Sequence, residues 1–309
     1  MDKETGRLSR GQHGAATLSA EEGRSRTAIR EYPYTDEDFE FIRALVYRHA
    51  GISLSPAKRE LVYARLIRRL RALGLASFSQ YCALLRQQDG GGEELDHCIN
   101  AITTNLTAFF REAYHFEFLK NTVVPELLER AKKSGGTRRV RIWSAGCSSG
   151  EEPYSIAMTL LPYFSSTDWD CRILATDLDS DTLAIGEQGI YPADRITGLS
   201  EEQLKRYFEA VHVDGQRSVC YKVRQEVRAM VHFRRLNLMG EWPMKGPFDI
   251  IFCRNVVIYF DKPTQRRLFG RYADIMRDGG YLFIGHAESL FDVCNRFKFI
   301  AHTIYRRVG

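Results

Sequence analysis

Four short stretches hold the side chains that could do chemistry. The first, Ser144-Ala145-Gly146-Cys147-Ser148-Ser149-Gly150, leads directly into Glu151-Glu152-Pro153. A glycine-containing turn between an apolar run and a helix start lets backbone N–H groups approach a ligand closely, as in nucleotide-binding α/β folds. The two glycines stand four apart, which is not the Gly-x-Gly-x-x-Gly dinucleotide pattern, and Glu151 and Glu152 put two negative charges where a pyrophosphate would sit. Such a turn favours a ligand with a positive centre and no phosphate. Twenty-seven residues after Gly150 stands Asp177, at the end of Ala175-Thr176-Asp177-Leu178-Asp179. An acid at this place in a doubly wound fold accepts hydrogen bonds from ribose hydroxyls, and Asp179 or Ser180 is better placed to cap the following helix. Leu236-Asn237-Leu238 and Cys253-Arg254-Asn255-Val256 close two further apolar runs. Four strand ends therefore converge on one crevice.

The elements that must position these residues are short apolar strands alternating with helices. Val140 to Trp143, Cys171 to Thr176, Val231 to Leu236, Phe248 to Cys253 and Tyr281 to Gly285 read as strands, with helices over Glu152 to Leu161 and Thr264 to Met276 between them. That alternation predicts a parallel sheet covered on both faces. From Tyr191 to Arg228 the rhythm changes to one helix and two alternating runs, which predicts a small hairpin subdomain inserted into the sheet domain. Upstream, residues 32–102 read as an all-helical domain. Thr35 precedes Asp36-Glu37-Asp38, Ser55-Pro56 opens a second helix that stops at Gly74, a third covers Phe78 to Gln87, and a fourth starts near Glu93. Residues 1–31 hold few large apolar side chains and are expected to be a disordered tail.

The 309 residues are 44% hydrophobic, which supports a packed core and, at about 150 residues per domain, two domains. The seven cysteines are scattered without a Cys-x-x-Cys pair, so neither a structural metal nor a disulfide framework is expected. With no apolar run near the ~20 residues that span a bilayer and no leader-like start, the expectation is a cytoplasmic protein without membrane insertion. The net charge of +5 is unevenly placed. Lys58, Arg59, Arg65, Arg68, Arg69 and Arg71 against Glu60 concentrate the same excess in one helix, where Lys58, Arg65, Arg68 and Arg69 share an arc opposite Val62, Leu66, Leu70 and Leu73. This face is expected to dock an acidic partner. No helix-turn-helix and no aromatic residues interleave with it, which argues against nucleic acid.

The acid-tipped second strand, the aspartate-led run Asp249 to Cys253 and the Asp278-Gly279-Gly280 turn are together typical of class I S-adenosylmethionine-dependent methyltransferases, with a Rossmann-like, seven-stranded, mostly parallel sheet. The stretches Thr103 to Glu112, Ser149 to Ser155, Phe248 to Asp261 and Gly285-His286-Ala287-Glu288 resemble the CheR family of chemotaxis receptor methyltransferases. The resemblance implies transfer of a methyl group from S-adenosylmethionine to glutamate side chains on the cytoplasmic helical bundle of methyl-accepting chemoreceptors, yielding S-adenosylhomocysteine. It maps the cofactor residues to Asn105, Thr107, Arg111, Glu152, Asp177, Asn237, Leu238, Asn255 and Val256, and the active-site pair to Arg111 and Tyr259. It also implies that the helical domain recognises the receptor, and a monomer is expected. Family members whose inserted hairpin binds a receptor tail tend to carry Gly-x-Gly at its tip. His212-Val213-Asp214-Gly215-Gln216 lacks that pattern, so no tethering is expected.

Overall fold

The computed structural model describes residues 31–87, 92–103, 105–133, 138–213 and 218–309. The expected tail falls almost wholly outside them, as does the tip of the inserted hairpin. Helix α1 (Asp36–Ala50) starts at a capping box: Thr35 Oγ1 accepts from the Asp38 N–H at 3.1 Å and the Asp38 carboxylate accepts from the Thr35 N–H at 3.0 Å. It ends at Gly51, whose φ of 70° suits glycine. A single 3-10 turn at Pro56–Lys58 leads into α2 (Arg59–Leu73), closed by Gly74, followed by α3 (Phe78–Gln87) and α4 (Glu93–Ile102). Val62, Leu66 and Leu70 of α2 are wholly buried, each contributing about 1.5–3 kcal/mol of apolar burial.

The rest of the chain runs α5 (Tyr114–Phe118), α6 (Val124–Lys133), β1 (Arg139–Ala145), α7 (Glu151–Phe164), β2 (Asp170–Asp177), α8 (Ser180–Gln188), β3 (Ile190–Pro192), α9 (Glu201–Tyr207), β4 (Phe208–Val211), β5 (Cys220–Val223), α10 (Gln225–Arg228), β6 (Val231–Arg235), β7 (Phe248–Cys253), α11 (Lys262–Ile275), β8 (Met276–Ile284), β9 (Phe297–Ala301) and β10 (Ile304–Arg307). The main sheet has the order β6-β2-β1-β7-β8-β10-β9. Its first five strands are parallel, and β10 pairs antiparallel with both β8 and β9. The sheet is thus the class I methyltransferase arrangement, with the chain reversing at β1 between β2 and β7 to open a crevice at the strands' carboxyl ends.

The two-residue period of the strands divides the core between the two faces. Trp143, Ala145, Ile251, Cys253, Leu282 and Ile284 join one buried cluster that includes residues of α1–α4 and α11. Ile142, Ile173, Ala175, Ile250, Phe252 and Phe283 join the other, with residues of α5–α8. The helical segment is therefore welded to one sheet face by a shared core. In the inserted region the expected hairpin gains a third strand: β3 pairs with β5, giving the antiparallel order β3-β5-β4. Three residues ending in a proline carry no readable alternation, so this edge strand has no sequence signal of its own.

Candidate active site

The carboxyl ends of β1, β2, β6 and β7 surround a cavity of about 940 Å³, mouth included. Asn105, Thr107, Arg111, Glu152, Asp177, Asn237, Leu238, Asn255, Val256 and Tyr259 all line it. Every cofactor and active-site residue marked in the sequence is thus brought to one place. The helical segment closes one side, since Ala50 and Ile52 also line the cavity. Ile52 bridges Phe260 antiparallel, and the Ser53 N–H donates to the Tyr259 carbonyl at 2.8 Å.

Close backbone approach comes from the turn after β1. Gly146 has φ 86°, and a Cβ there would meet Val256 Cγ2 at 2.3 Å, so any side chain would fill the cradle between β1 and β7. Ser148, Asn255, Phe110 and Glu112 also hold positive φ values of 49–60°, a costly conformation for residues with a Cβ. Ser148 and Asn255 line the cavity and Phe110 and Glu112 flank its Arg111, so the strained backbone gathers at this site. Asp177 helps hold that shape: its carboxylate accepts from the Ser148 N–H at 2.7 Å and the Asp179 N–H at 3.0 Å. Asp179 caps α8 through the Asp181 and Thr182 N–H groups and accepts from Asn105 Nδ2 at 2.6 Å. Asn237 is fixed by donating from Nδ2 to the His49 carbonyl at 2.5 Å and accepting from the Met239 N–H.

The acids of the β1–α7 turn separate. Glu152 lines the cavity, accepts from Ser144 Oγ at 2.6 Å and lies 3.6 Å from Arg254. Glu151 does not face the ligand: it is fully buried, paired with Arg195 of the inserted region and hydrogen-bonded by Ser149 Oγ at 2.7 Å. One negative charge, not two, therefore stands at this helix N-terminus on the cavity side. Burial raises the Glu152 carboxyl above its ordinary range, with Arg254 and Ser144 pulling the other way, and burial likewise raises Asp177.

Arg254 is the residue that sequence reasoning missed. It reads there as the end of an apolar run, yet it is buried, lies 3.6 Å from both Glu112 and Glu152, donates to the Arg111 carbonyl and stacks over Phe116. The available signal was a lone arginine inside an otherwise apolar stretch, a position that demands buried counter-charges. Arg111 does not pair with its neighbour Glu112. Its Nη1 donates to the Leu106 carbonyl at 2.8 Å, and the rest of its guanidinium has no partner among the described residues. Glu288 acts from outside the cavity. It is buried and accepts from the backbone N–H groups of Asn255 (3.1 Å), Ile258 (3.3 Å) and Gly285 (2.5 Å), tying the turn that carries Asn255, Val256 and Tyr259 to the end of β8.

The basic arc of α2 is only partly a surface. Arg65 donates to the carbonyls of Ile102 (2.7 Å) and Thr103, filling the unsatisfied C-terminus of α4. Arg69 pairs at 2.5 Å with Glu94, which is also held by the Tyr81 hydroxyl at 2.8 Å in the helical core. Lys58 and Arg68 remain exposed. The expected apolar arc holds for Val62, Leu66 and Leu70 but not for Leu73, which is exposed in the last turn of α2; Lys58 lies in the 3-10 turn before the helix, and a helical wheel says nothing of α4, which takes up Arg65 and Arg69.

These residues fit S-adenosylmethionine. Two partly compensated carboxylates, three amide side chains, and the apolar Leu178, Leu238, Val256 and Phe260 suit a ligand with a cationic centre, a ribose and a flat ring. Comparison with known proteins agrees. Residues 105–306 match the CheR methyltransferase SAM-binding domain, and residues 37–103 match the CheR methyltransferase all-alpha domain. A probable chemotaxis protein methyltransferase of Rhizobium etli is 44% identical over 264 residues, covering 85% of this chain and 96% of the relative. The chemotaxis protein methyltransferases of Klebsiella aerogenes (44% over 274 residues; 88% and 90% covered) and Escherichia coli (42% over 272 residues; 88% and 91% covered) are similar at the same level. With the helical segment, the sheet domain and the cavity all accounted for, the chain belongs to the CheR methyltransferase family.

Proposed function

We propose that the protein converts glutamate side chains on the cytoplasmic helical bundle of chemoreceptors to methyl esters, with S-adenosylmethionine as methyl donor and S-adenosylhomocysteine as product. The observation that carries this reading is what the cavity lacks. Among the described residues no histidine, lysine or cysteine lines it, and its two carboxylates are held by neighbours, so this lining offers no general base. A glutamate acceptor needs none, because it is already ionised at neutral pH.

When bound, S-adenosylmethionine supplies an electrophilic methyl carbon on a sulfonium. Asp177 and Asn105 would hold its ribose side, Leu238 and Val256 its ring, and Glu152 its positively charged end. Arg111 then fixes a carboxylate through its remaining N–H pair, a bidentate contact that orients as well as attracts. Tyr259, on the turn braced by Glu288, positions the acceptor oxygen. Such alignment is worth up to ~7–11 kcal/mol in well-oriented reactions. Lys58 and Arg68 are the exposed part of the face that would meet a glutamate-rich helix, with residues 32–102 as the recognition domain and the protein acting as a cytoplasmic monomer.

The test is methyl transfer from tritiated S-adenosylmethionine to receptor-containing membranes. Label released as volatile methanol by mild base is the expected result, since esters hydrolyse there. Base-stable label would indicate methylated nitrogen and overturn the glutamate assignment.

A further inference from the structure

The opposite end of the sheet carries a second concave site. Strand pairing aligns Arg139 with Asp170, Arg141 with Arg172 and Thr176 with Arg234, while Leu174 pairs His232. Aligned residues of adjacent strands point to the same face, so Arg139, Arg141, Arg172, His232 and Arg234 share the face that Trp143 occupies further up β1. In a doubly wound fold a crossover helix would cover this face. Here residues 236–247, between β6 and β7, form no helix. They run as irregular chain that brings Met244 and Lys245 over the strands, leaving a cavity of about 670 Å³, open to solvent, lined by Arg139, Arg141, Arg172, His232 and Lys245 around Leu174, Met244 and Phe248.

Its charge is poorly compensated. Asp170 pairs with Arg141 and, at 2.8 Å, with Arg172. Arg139, His232, Arg234 and Lys245 have no ion-pair partner among the described residues, and Arg139, Arg172, Arg234 and Lys245 are exposed. His232 sits among Arg172, Arg234 and Arg141 with Asp170 as its one acidic neighbour, and burial together with those arginines lowers its pKa. An apolar floor under a ring of guanidinium groups matches a flat ring attached to several negative charges. Arginine forks bind phosphate oxygens in pairs, and a single half-open concavity suits a small ligand better than an extended acidic peptide.

We infer that this bare face of β1, β2 and β6 binds a nucleoside di- or triphosphate, at a site separate from the methyl-donor cavity at the strands' other ends. The experiment is titration calorimetry of the full chain with ATP, and with pyrophosphate and adenosine as its component parts, at low salt and with saturating S-adenosylhomocysteine. One ATP per chain should bind in the presence of S-adenosylhomocysteine, with pyrophosphate weaker and adenosine weakest. Replacing Arg139, Arg172 and Lys245 together by alanine should lower ATP affinity at least about tenfold, given the strength of charge-assisted contacts, and leave S-adenosylhomocysteine affinity unchanged as a check on folding. Should the triple variant fold poorly, the pair Arg139→Glu and Lys245→Glu, both at exposed positions, should produce the same loss. Displacement of ATP by S-adenosylhomocysteine, unchanged affinity in the variants, or preference for a glutamate-rich peptide over ATP would each overturn the assignment.

Discussion

The arginines of α2 and those of the methyl-donor cavity divide in the same way and with different consequences. In each region one arginine neutralises largely buried acid, Arg69 against Glu94 and Arg254 against Glu112 and Glu152, while another pairs with no acid among the described residues, Arg68 exposed on α2 and Arg111 half-buried in the cavity wall. Glu94, however, serves only the packing of α2 on α3 and α4, whereas Glu152 lines the ligand cavity. Stability and ligand chemistry are therefore separable in the helical segment and coupled at Arg254. A cluster of like charges in a sequence says little until the acids opposite it are known.

The largest test of this contrast is Arg254→Met. Removing one partner of a buried ion pair costs ~3–5 kcal/mol, and here two carboxylates lose their counter-charge. Chemical denaturation should show that loss, and S-adenosylmethionine affinity of the folded fraction should fall as well. Next is Arg111→Ala, which should lower turnover by about 10²–10³-fold, the ~2.7–4 kcal/mol of a preorganised charged contact, while the melting temperature stays near wild type. Tyr259→Phe should behave alike on a smaller scale. Wild-type turnover in either folded variant would remove these residues from the reaction. Arg69→Ala follows, costing ~1–3 kcal/mol of stability because Glu94 stays buried without its cation, with turnover at saturating receptor unchanged.

A pH series sharpens the same contrast. Burial raises the carboxyls of Glu152 and Asp177, so each binds its proton more tightly folded than unfolded. The stability they contribute is then present below the ordinary carboxylate pKa and declines as pH rises through the raised values. Affinity for a cationic donor has the opposite sign, because only the ionised forms attract it. Over the window just above the ordinary carboxylate range, S-adenosylmethionine affinity should rise with pH as the stability of the protein alone falls. His115 moves the other way. Burial and Arg254 lower it to about 3, so its contribution is lost as pH drops below the ordinary histidine value, at ~1 kcal/mol per pH unit.

What could be read in advance followed from how local each signal is. Thr35, Gly74 and Asp179 cap helices through neighbours two to four residues away, and the sequence shows those neighbours. Asp177, Asn237, Leu238, Asn255 and Val256 were legible because they sit where apolar runs end, whereas Asn105, Thr107, Arg111 and Tyr259 were marked only by the resemblance to a family. Arg65, Arg69 and Glu288 were not legible, since the partners of both arginines and two of the three backbone partners of Glu288 lie 25–38 residues away and only packing brings them close. The near-neutral total outside α2 likewise concealed the basic face of β1, β2 and β6, because charge sums discard position. Strands β3, β9 and β10 are short and sit toward sheet edges, where alternation weakens.

The smallest expected effect tests whether α2 still docks anything once Arg65 and Arg69 are occupied. Only Lys58 and Arg68 of the original arc remain exposed, and a solvated charge pair is worth ~0.2–1 kcal/mol. The double variant Lys58→Glu and Arg68→Glu should therefore raise the KM for receptor by a few-fold at low salt, with kcat and S-adenosylmethionine affinity unchanged. The difference should shrink as ionic strength rises and the Debye length shortens to about 10 Å at 0.1 M. Because neither residue supports the helical core, stability should not move, which separates this variant from Arg69→Ala. A KM that ignores both charge reversal and salt would leave α2 as a structural helix whose basic residues serve its neighbours α1 and α4.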